Sequence, residues 1–166
     1  MEDSRDRPLP GDALVLLVGA AGSGKSTWAR HRFPPHAVLS SDAIRAMVSD
    51  DATDQGASAD AFGVLHAIAA ARLRRGLLTV VDATNLTAAA RKPFRAMAAR
   101  WSRPTVAVVF DLPLHACLAR NASRAAGRVP DAVVRRQHAS LGPALVSLEG
   151  EGFTAIQVLR EAILAE

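Results

Sequence analysis

Five apolar runs of strand length occur along the chain, and segments with a helical pattern separate them. The first run, 13–18 (ALVLLV), has no polar side chain. Both of its faces must therefore be covered, as in a central strand of a parallel sheet. The later runs lie at 36–40, 77–81, 105–110 and 153–159, and each of them also predicts a strand.

Helical patterns fill the stretches between these runs. They are predicted at 25–31, 42–48, 59–75, 87–100, 114–126 and 132–148, and a short helix closes the chain. Asp42 and Thr87 are placed to cap two of these helices. Gly142 and Pro143 predict a kink in the helix over 132–148. The alternation predicts an α/β fold, a five-stranded parallel sheet with helices on both faces and right-handed crossovers.

The length and composition indicate one compact domain. The chain has 166 residues, 49% of them apolar. Residues 1–12 are charged and contain proline, which predicts a flexible tail before a domain over 13–166. Cys117 is the single cysteine, so an intrachain disulfide is excluded. Without a secretory signal or an apolar run of about 18 residues, we expect a cytoplasmic protein that makes no membrane contact.

Charge is distributed unevenly along the chain. From 91 to 136 there are ten Arg or Lys and two acidic residues, whereas 42–60 has five Asp and one Arg. The basic half suggests a polyanionic partner, at least nucleotide phosphates and also a candidate nucleic acid. The alternative is that most of these arginines solvate helix faces.

A glycine-rich motif follows the first predicted strand. The residues from Gly19 to Ser26 match the pattern G-x-x-x-x-G-K-[ST], with a strand before it and a helix after it. This motif, the P-loop, wraps its backbone N–H groups around phosphates, its Lys reaches the β- and γ-phosphates, and its hydroxyl ligates Mg²⁺. ATP, or another NTP, and Mg²⁺ are therefore the predicted ligands. The nucleotide-binding residues are predicted to be Gly22, Ser23, Gly24, Lys25, Ser26 and Thr27.

The second and third strands end in further candidate residues. Asp42, in the sequence SSDAIR, can accept the proton of an attacking hydroxyl, and Arg45 can clamp a phosphate on the acceptor. In VVDATN, Asp82 is placed to hold Mg²⁺ through water, while Thr84 and Asn85 can contact the acceptor or orient Asp42. The alternatives are an N-cap with a solvated Arg for the first sequence and a helix-capping strand end for the second.

A third group of residues resembles a lid. Arg120 and Arg124 stand at i and i+4, so both point the same way, and Gly127 provides a hinge beyond them. Arginines in a lid stabilise charge on a transferring phosphoryl group. Arg124 and Arg128 can each equally be a surface residue.

Together these motifs resemble the 5′-kinase domain of bacterial polynucleotide kinase-phosphatases. The likeness covers about 14–159 and is greatest to the kinase module of the RNA-repair enzyme that also carries phosphatase and ligase modules. It includes the stretches 48–55, 90–93 and 151–153. This family transfers the γ-phosphate of an NTP to the 5′-OH end of RNA or DNA.

The resemblance implies roles for individual residues. Lys25 and Ser26 would bind phosphates and Mg²⁺, and Asp42 would be the general base. Arg45 would contact the acceptor phosphate and Arg120 the donor. Val129, beside the lid, would lie near the terminal acceptor base. No phosphatase or ligase motif is present, so we expect a free-standing kinase or one module of a larger assembly.

Two alternatives from other classes stay open. One is a small-molecule kinase, acting on an antibiotic, a sugar acid or a toxin-type substrate. The other is a nucleotide-gated module that binds nucleic acid without catalysis. The absence of a carboxylate next to Asp82 argues against an ATP-driven motor, which needs a base for water.

Overall fold

The computed structural model describes residues 8–160, and its centre is a sheet of five parallel strands. The strands are β1 (Leu14–Val18), β2 (Val38–Ser40), β3 (Thr79–Asp82), β4 (Thr105–Phe110) and β5 (Ala155–Leu159). Their order across the sheet is β2-β3-β1-β4-β5. The predicted α/β fold with a five-stranded parallel sheet is therefore confirmed.

Seven α-helices of the described part connect or flank these strands. They are α1 (Lys25–Arg32), α2 (Ser41–Ser49), α3 (Ser58–Arg74), α4 (Ala88–Arg100), α5 (Leu114–Ala122), α6 (Asp131–Ala139) and α7 (Leu141–Glu149). In the part of the chain that the structure covers, none of them is long and apolar enough to cross a bilayer.

Alternate residues of β1 enter two separate cores, one on each face of the sheet. Val15 and Leu17 pack with buried residues of α1, α5 and α6, among them Trp28 and Val134. Leu14 and Leu16 pack on the other face with α2, α3 and α4. Since α2 and α6 lie on opposite faces, the edge where the strands end is enclosed from both sides.

The parallel register brings the carboxyl ends of β1, β2 and β3 to one edge of the sheet. Ser40, the last residue of β2, pairs with Asp82, the last residue of β3. The P-loop follows β1, which lies between β3 and β4; the connection from β1 runs to β2 on one side, and the connection from β3 crosses to β4 on the other. In such sheets ligands bind at the carboxyl edge, beside this switch in strand order.

Several element boundaries differ from the predicted ones. Residues Pro35–Ala37 form a 3₁₀ turn, so β2 begins at Val38. The helix predicted over 114–126 ends at Ala122. The helix predicted over 132–148 consists of two helices that meet at Ser140. The short helix predicted at the end of the chain lies outside the described residues.

The start of α2 and the segment before β1 also differ from the predictions. Ser40, not Asp42, caps α2, because its Oγ accepts a hydrogen bond from the Ala43 N–H at 3.3 Å. Part of the predicted flexible tail is packed: Leu9 contacts the α1-side core, and Asp12 forms an ion pair of 3.1 Å with Arg103. Residues 1–7 of that tail lie outside the described part.

Candidate active site

The P-loop has the backbone geometry that its glycines permit. Gly22 has φ +78°, and a Cβ atom there would lie 2.1 Å from the carbonyl oxygen of Cys117. Only glycine can therefore hold the loop this close to α5. Gly24 has φ +94° and precedes Lys25, the first residue of α1. The N-terminus of α1, which favours anions, thus opens directly from the loop.

Lys25 is buried within the loop. Its Nζ donates to the carbonyl oxygens of Gly19 at 2.8 Å and Ala20 at 2.7 Å, and reaches Ser23 Oγ at 3.4 Å. Burial lowers the pKa of Lys25 to about 8, and the negative charge of Asp82 only partly opposes this shift. An anion arriving beside this ammonium group would favour its charged form.

Ser26 and Asp82 join the first turn of α1 to the end of β3. Ser26 Oγ donates to Asp82 Oδ2 at 2.6 Å. Burial raises the pKa of Asp82, although the hydrogen bond from Ser26 and the charge of Lys25 act in the opposite direction. A hydroxyl and a carboxylate side by side supply the hard oxygen ligands that Mg²⁺ prefers, so the pair fits the predicted metal.

Asp42 and Arg45 form an ion pair on the first turns of α2. Arg45 Nη1 lies 2.8 Å from Asp42 Oδ1, and the Arg45 side chain is 8% exposed whereas that of Asp42 is 66% exposed. Arg45 also donates to Ala52 O at 3.0 Å and to Ser58 Oγ at 3.3 Å. The guanidinium is therefore held rigidly, with the Nη2 group free of protein partners within the described residues. The alternative interpretation, in which this Arg is merely solvated, does not fit its burial.

Thr84 and Asn85 have different surroundings. Thr84 lines the cavity beside Asp42. Asn85 does not: its buried amide donates to Leu17 O at 2.8 Å, and its φ is +47°. The predicted acceptor contact of Asn85 is thus not supported, because its side chain fastens the β3 end to β1.

The three arginines of the predicted lid take different arrangements. Arg120 Nη1 approaches Ser23 O at 3.5 Å, which places this residue against the P-loop. Arg124 Nη1 donates to Gly127 O at 3.3 Å, so it spans the predicted hinge. Arg128 is exposed and pairs with Asp131 at 3.5 Å. Of the three, Arg120 is held nearest to the donor loop.

Two cavities meet at the carboxyl edge of the sheet. One, of about 1120 Å³, is lined by Gly22, Gly24, Thr27, Arg120 and other residues of the P-loop side; we call it the donor cavity. The other, of about 630 Å³, is lined by Lys25 of the P-loop, by Arg45, Thr84 and Val129, and by residues of α3 and α6; we call it the acceptor cavity. Ser26, Asp42 and Asp82 line both. A phosphoryl donor and a hydroxyl acceptor can therefore meet beside these three side chains.

Sequence reasoning missed two amide side chains that fix the walls of the site. Asn121, fully buried on α5, donates to Val129 O at 2.6 Å and accepts from Val129 N at 3.0 Å. Gln137 on α6 accepts from the Ala21 N–H of the P-loop at 2.9 Å. A buried Asn eight residues before Val129 gives no local signal, and Gln137 is 116 residues from its partner.

Comparison with solved structures finds the same fold in a chain of an RNA repair complex and in kinases of small molecules. The Pnkp1/Rnl/Hen1 RNA repair complex contains a chain with TM-score 0.71 and 22% identity, over 87% of this chain. This chain spans about half (49%) of that one.

Small-molecule kinases are also similar. The gluconokinase of Sinorhizobium meliloti 1021 has TM-score 0.56 and 20% identity over 95% of this chain and 86% of that one. The Mycobacterium tuberculosis APS kinase CysC, in complex with AMPPNP and APS, has TM-score 0.52 and 24% identity over 69% of this chain and 71% of that one.

Sequence comparison gives a family but no individual relative. No curated protein matches this sequence. The profile of family AAA_33, described as an AAA domain, matches residues 14–144, most of the chain and all of the site described above. The chain, with its P-loop kinase fold, therefore belongs to the AAA domain family AAA_33.

Proposed function

We propose that this protein is an ATP-dependent polynucleotide 5′-hydroxyl kinase that phosphorylates the 5′-OH end of RNA or DNA, in the repair of broken strands. The observation that carries this proposal is the pairing of Asp42 with the buried Arg45, at the border between donor and acceptor cavities. A carboxylate that can take a hydroxyl proton thus stands beside a fixed guanidinium that can bind a phosphate. A 5′-OH nucleotide offers these two groups on one sugar.

The donor side follows from the loop geometry. The P-loop amides and Lys25 would hold the β- and γ-phosphates, and Arg120 would reach the same phosphates from the lid. Ser26 and Asp82 would hold Mg²⁺, which neutralises charge on the phosphates when it is bound. The arginine of a lid can contribute about 10³- to 10⁵-fold in rate, since charge on the phosphoryl oxygens changes in the transition state.

The acceptor side would perform the proton transfer. The Asp42 carboxylate accepts the proton of the 5′-OH as its oxygen bonds to the γ-phosphorus. The bond from that phosphorus to the β,γ-bridging oxygen breaks, and ADP leaves with the electron pair. Arg45, donating to Asp42 Oδ1, keeps the carboxylate oriented while its Nη2 remains available to a 3′-phosphate of the terminal nucleotide.

A small-molecule kinase is the second candidate, because the gluconokinase structure matches the chain over nearly its whole length. The two functions require different acceptors. Gluconate carries one carboxylate and no phosphate, so it would present Arg45 with a different anion from that of a nucleic-acid strand.

An acceptor panel separates them. The protein is incubated with ATP and, in parallel, 5′-OH RNA, 5′-OH DNA, gluconate and APS, and ADP release is measured. We expect ADP release to depend on the oligonucleotides, and Arg45→Ala to raise their KM. ADP release that depends on gluconate or APS, and not on either oligonucleotide, would overturn the proposal.

A further inference from the structure

One face of α6 forms a wall of the acceptor cavity. Val133, Arg136 and Gln137, at positions i, i+3 and i+4, all line it. The hydrogen bond from the Ala21 N–H to Gln137 Oε1 fixes this face against the P-loop. Arg45 lines the same cavity from α2, on the opposite face of the sheet. The acceptor cavity therefore has a cationic side chain on each of its two walls.

Arg136 differs from the other arginines of this cavity in having no partner. Arg45 is paired with Asp42, Arg128 with Asp131, and Arg124 is bonded to Gly127 O. The guanidinium of Arg136 is exposed and makes no hydrogen bond or ion pair with any described residue.

The charges on the cavity lining are also unbalanced. Apart from Lys25 and Asp82, which the proposed function assigns to the donor and its metal, the lining has four arginines, Arg45, Arg124, Arg128 and Arg136, and one carboxylate, Asp42. This excess favours a ligand with more than one negative charge.

We propose that Arg136 binds a second phosphate of the acceptor strand, beyond the one that Arg45 would hold. The preferred acceptor is then an oligonucleotide with at least two phosphates on the 3′ side of the reacting hydroxyl, not a single nucleotide. This inference rests on the proposed function and specifies its substrate. A ligand that reaches both Arg45 and Arg136 must extend across the sheet edge from α2 to α6, as a strand does.

Arg135 provides a matched control. It is the neighbouring residue on α6, is also exposed, carries the same charge, and does not line the cavity. Loss of either guanidinium changes the net charge equally, and since both side chains are exposed, equal melting temperatures are expected for the two variants.

The experiment measures steady-state phosphorylation of three 5′-OH acceptors by wild type, Arg136→Ala, Arg136→Lys and Arg135→Ala. The acceptors are a nucleoside 3′-monophosphate, a trinucleotide and a hexanucleotide. Arg136→Ala should raise KM for the two oligonucleotides about tenfold, the effect of one lost charge-assisted hydrogen bond, with little change in kcat. KM for the monophosphate should stay unchanged, and Arg136→Lys should keep most of the wild-type affinity.

Salt gives a second readout. The slope of log(kcat/KM) against log[salt] should become shallower by about 0.7 in Arg136→Ala, the value for one phosphate contact on a single strand, and stay unchanged in Arg135→Ala. Equal behaviour of the two alanine variants, or an equal rise in KM for the monophosphate, would overturn the role of Arg136 and leave the kinase proposal standing. Failure of wild type to phosphorylate any oligonucleotide would overturn both.

Discussion

The hydroxyl of Ser26 donates a hydrogen bond of 2.6 Å to Oδ2 of Asp82, and this contact joins the donor loop to the end of the neighbouring strand. Burial raises the pKa of Asp82, while the hydrogen bond and Lys25 favour its ionised form. The carboxylate is therefore held in place for a cation. This pair lies on the border of both cavities, next to Asp42.

Asp82→Asn should raise the Mg²⁺ concentration that gives half-maximal activity by about 10- to 100-fold, the usual effect of losing a group that acts on a metal through its ligands. Ser26→Ala should act in the same direction. Since the two residues are in contact, the double variant should raise the Mg²⁺ requirement by less than the product of the two single fold-changes. The measurement is an Mg²⁺ titration at fixed ATP. An unchanged Mg²⁺ requirement would contradict the assignment of a metal to this pair.

Asp42→Asn should lower kcat by about 10²- to 10⁴-fold, because the amide cannot accept the acceptor proton. ATP affinity should change little, since Asp42 is not required to bind the donor. The variant keeps the side-chain shape and the acceptor oxygen for Arg45. Kinetics and ATP binding are measured together, with Asp60→Asn, an exposed residue of α3, as the control. Full activity of Asp42→Asn would rule out its role as base.

ATP affinity should fall as the pH rises above about 8, because burial lowers the pKa of Lys25 to about 8 in the free protein. The phosphates require the ammonium form and raise its pKa on binding, so binding above that pH takes up a proton. Below pH 7, Lys25 is already charged and no uptake is expected.

Calorimetry at pH 9 in two buffers of different ionisation enthalpy measures this proton uptake. Lys25→Met should bind ATP more weakly and take up no proton at this position. Equal proton uptake in the wild type and in the variant would contradict the assignment to Lys25.

Glu151→Gln should destabilise the fold by roughly 3 kcal/mol, since it removes the charge opposite the fully buried Arg91. For a chain of this size this corresponds to a fall in Tm of about 6 to 12 °C. The hydrogen bond from Arg91 holds the pKa of Glu151 below its usual value of 4.5. The stabilisation is therefore complete above that pH and is lost as the pH falls through the lower value in the folded protein.

Thermal melts of Glu151→Gln and wild type should accordingly differ at pH 7 and converge in acid. Glu149→Gln, at an exposed position two residues away, should leave Tm nearly unchanged. A constant difference in Tm across the pH range would show that the Glu151 charge is not what stabilises Arg91.

The elements that sequence analysis predicted well depend on local patterns. An apolar strand followed by glycines and Lys25 indicates a P-loop because the loop binds phosphate through consecutive backbone groups. The ends of parallel strands meet at one edge, so Asp42 and Asp82 could be placed near each other without a structure.

Contacts between distant segments could not be predicted in this way. Asn85 follows β3, where a residue that contacts the acceptor is expected. Its side-chain amide instead donates a hydrogen bond to Leu17 O, 68 residues away. The Arg91 guanidinium binds Asn85 O at 2.7 Å and also the Glu151 carboxylate, which is 60 residues further on. The stretches 90–93 and 151–153 are part of the family likeness, but they line neither cavity; Arg91 and Glu151 instead hold the segment after β3 in place.

The most direct test is transfer of the γ-phosphate from labelled ATP to one RNA hexamer, prepared with a 5′-OH end and with a 5′-phosphate end. We predict that the 5′-OH hexamer becomes labelled at its 5′ end, that the 5′-phosphorylated hexamer does not, and that Asp42→Asn slows labelling by about 10²- to 10⁴-fold. Absence of label on 5′-OH RNA and on its DNA counterpart, by a protein that binds ATP, would contradict the assignment of a polynucleotide acceptor.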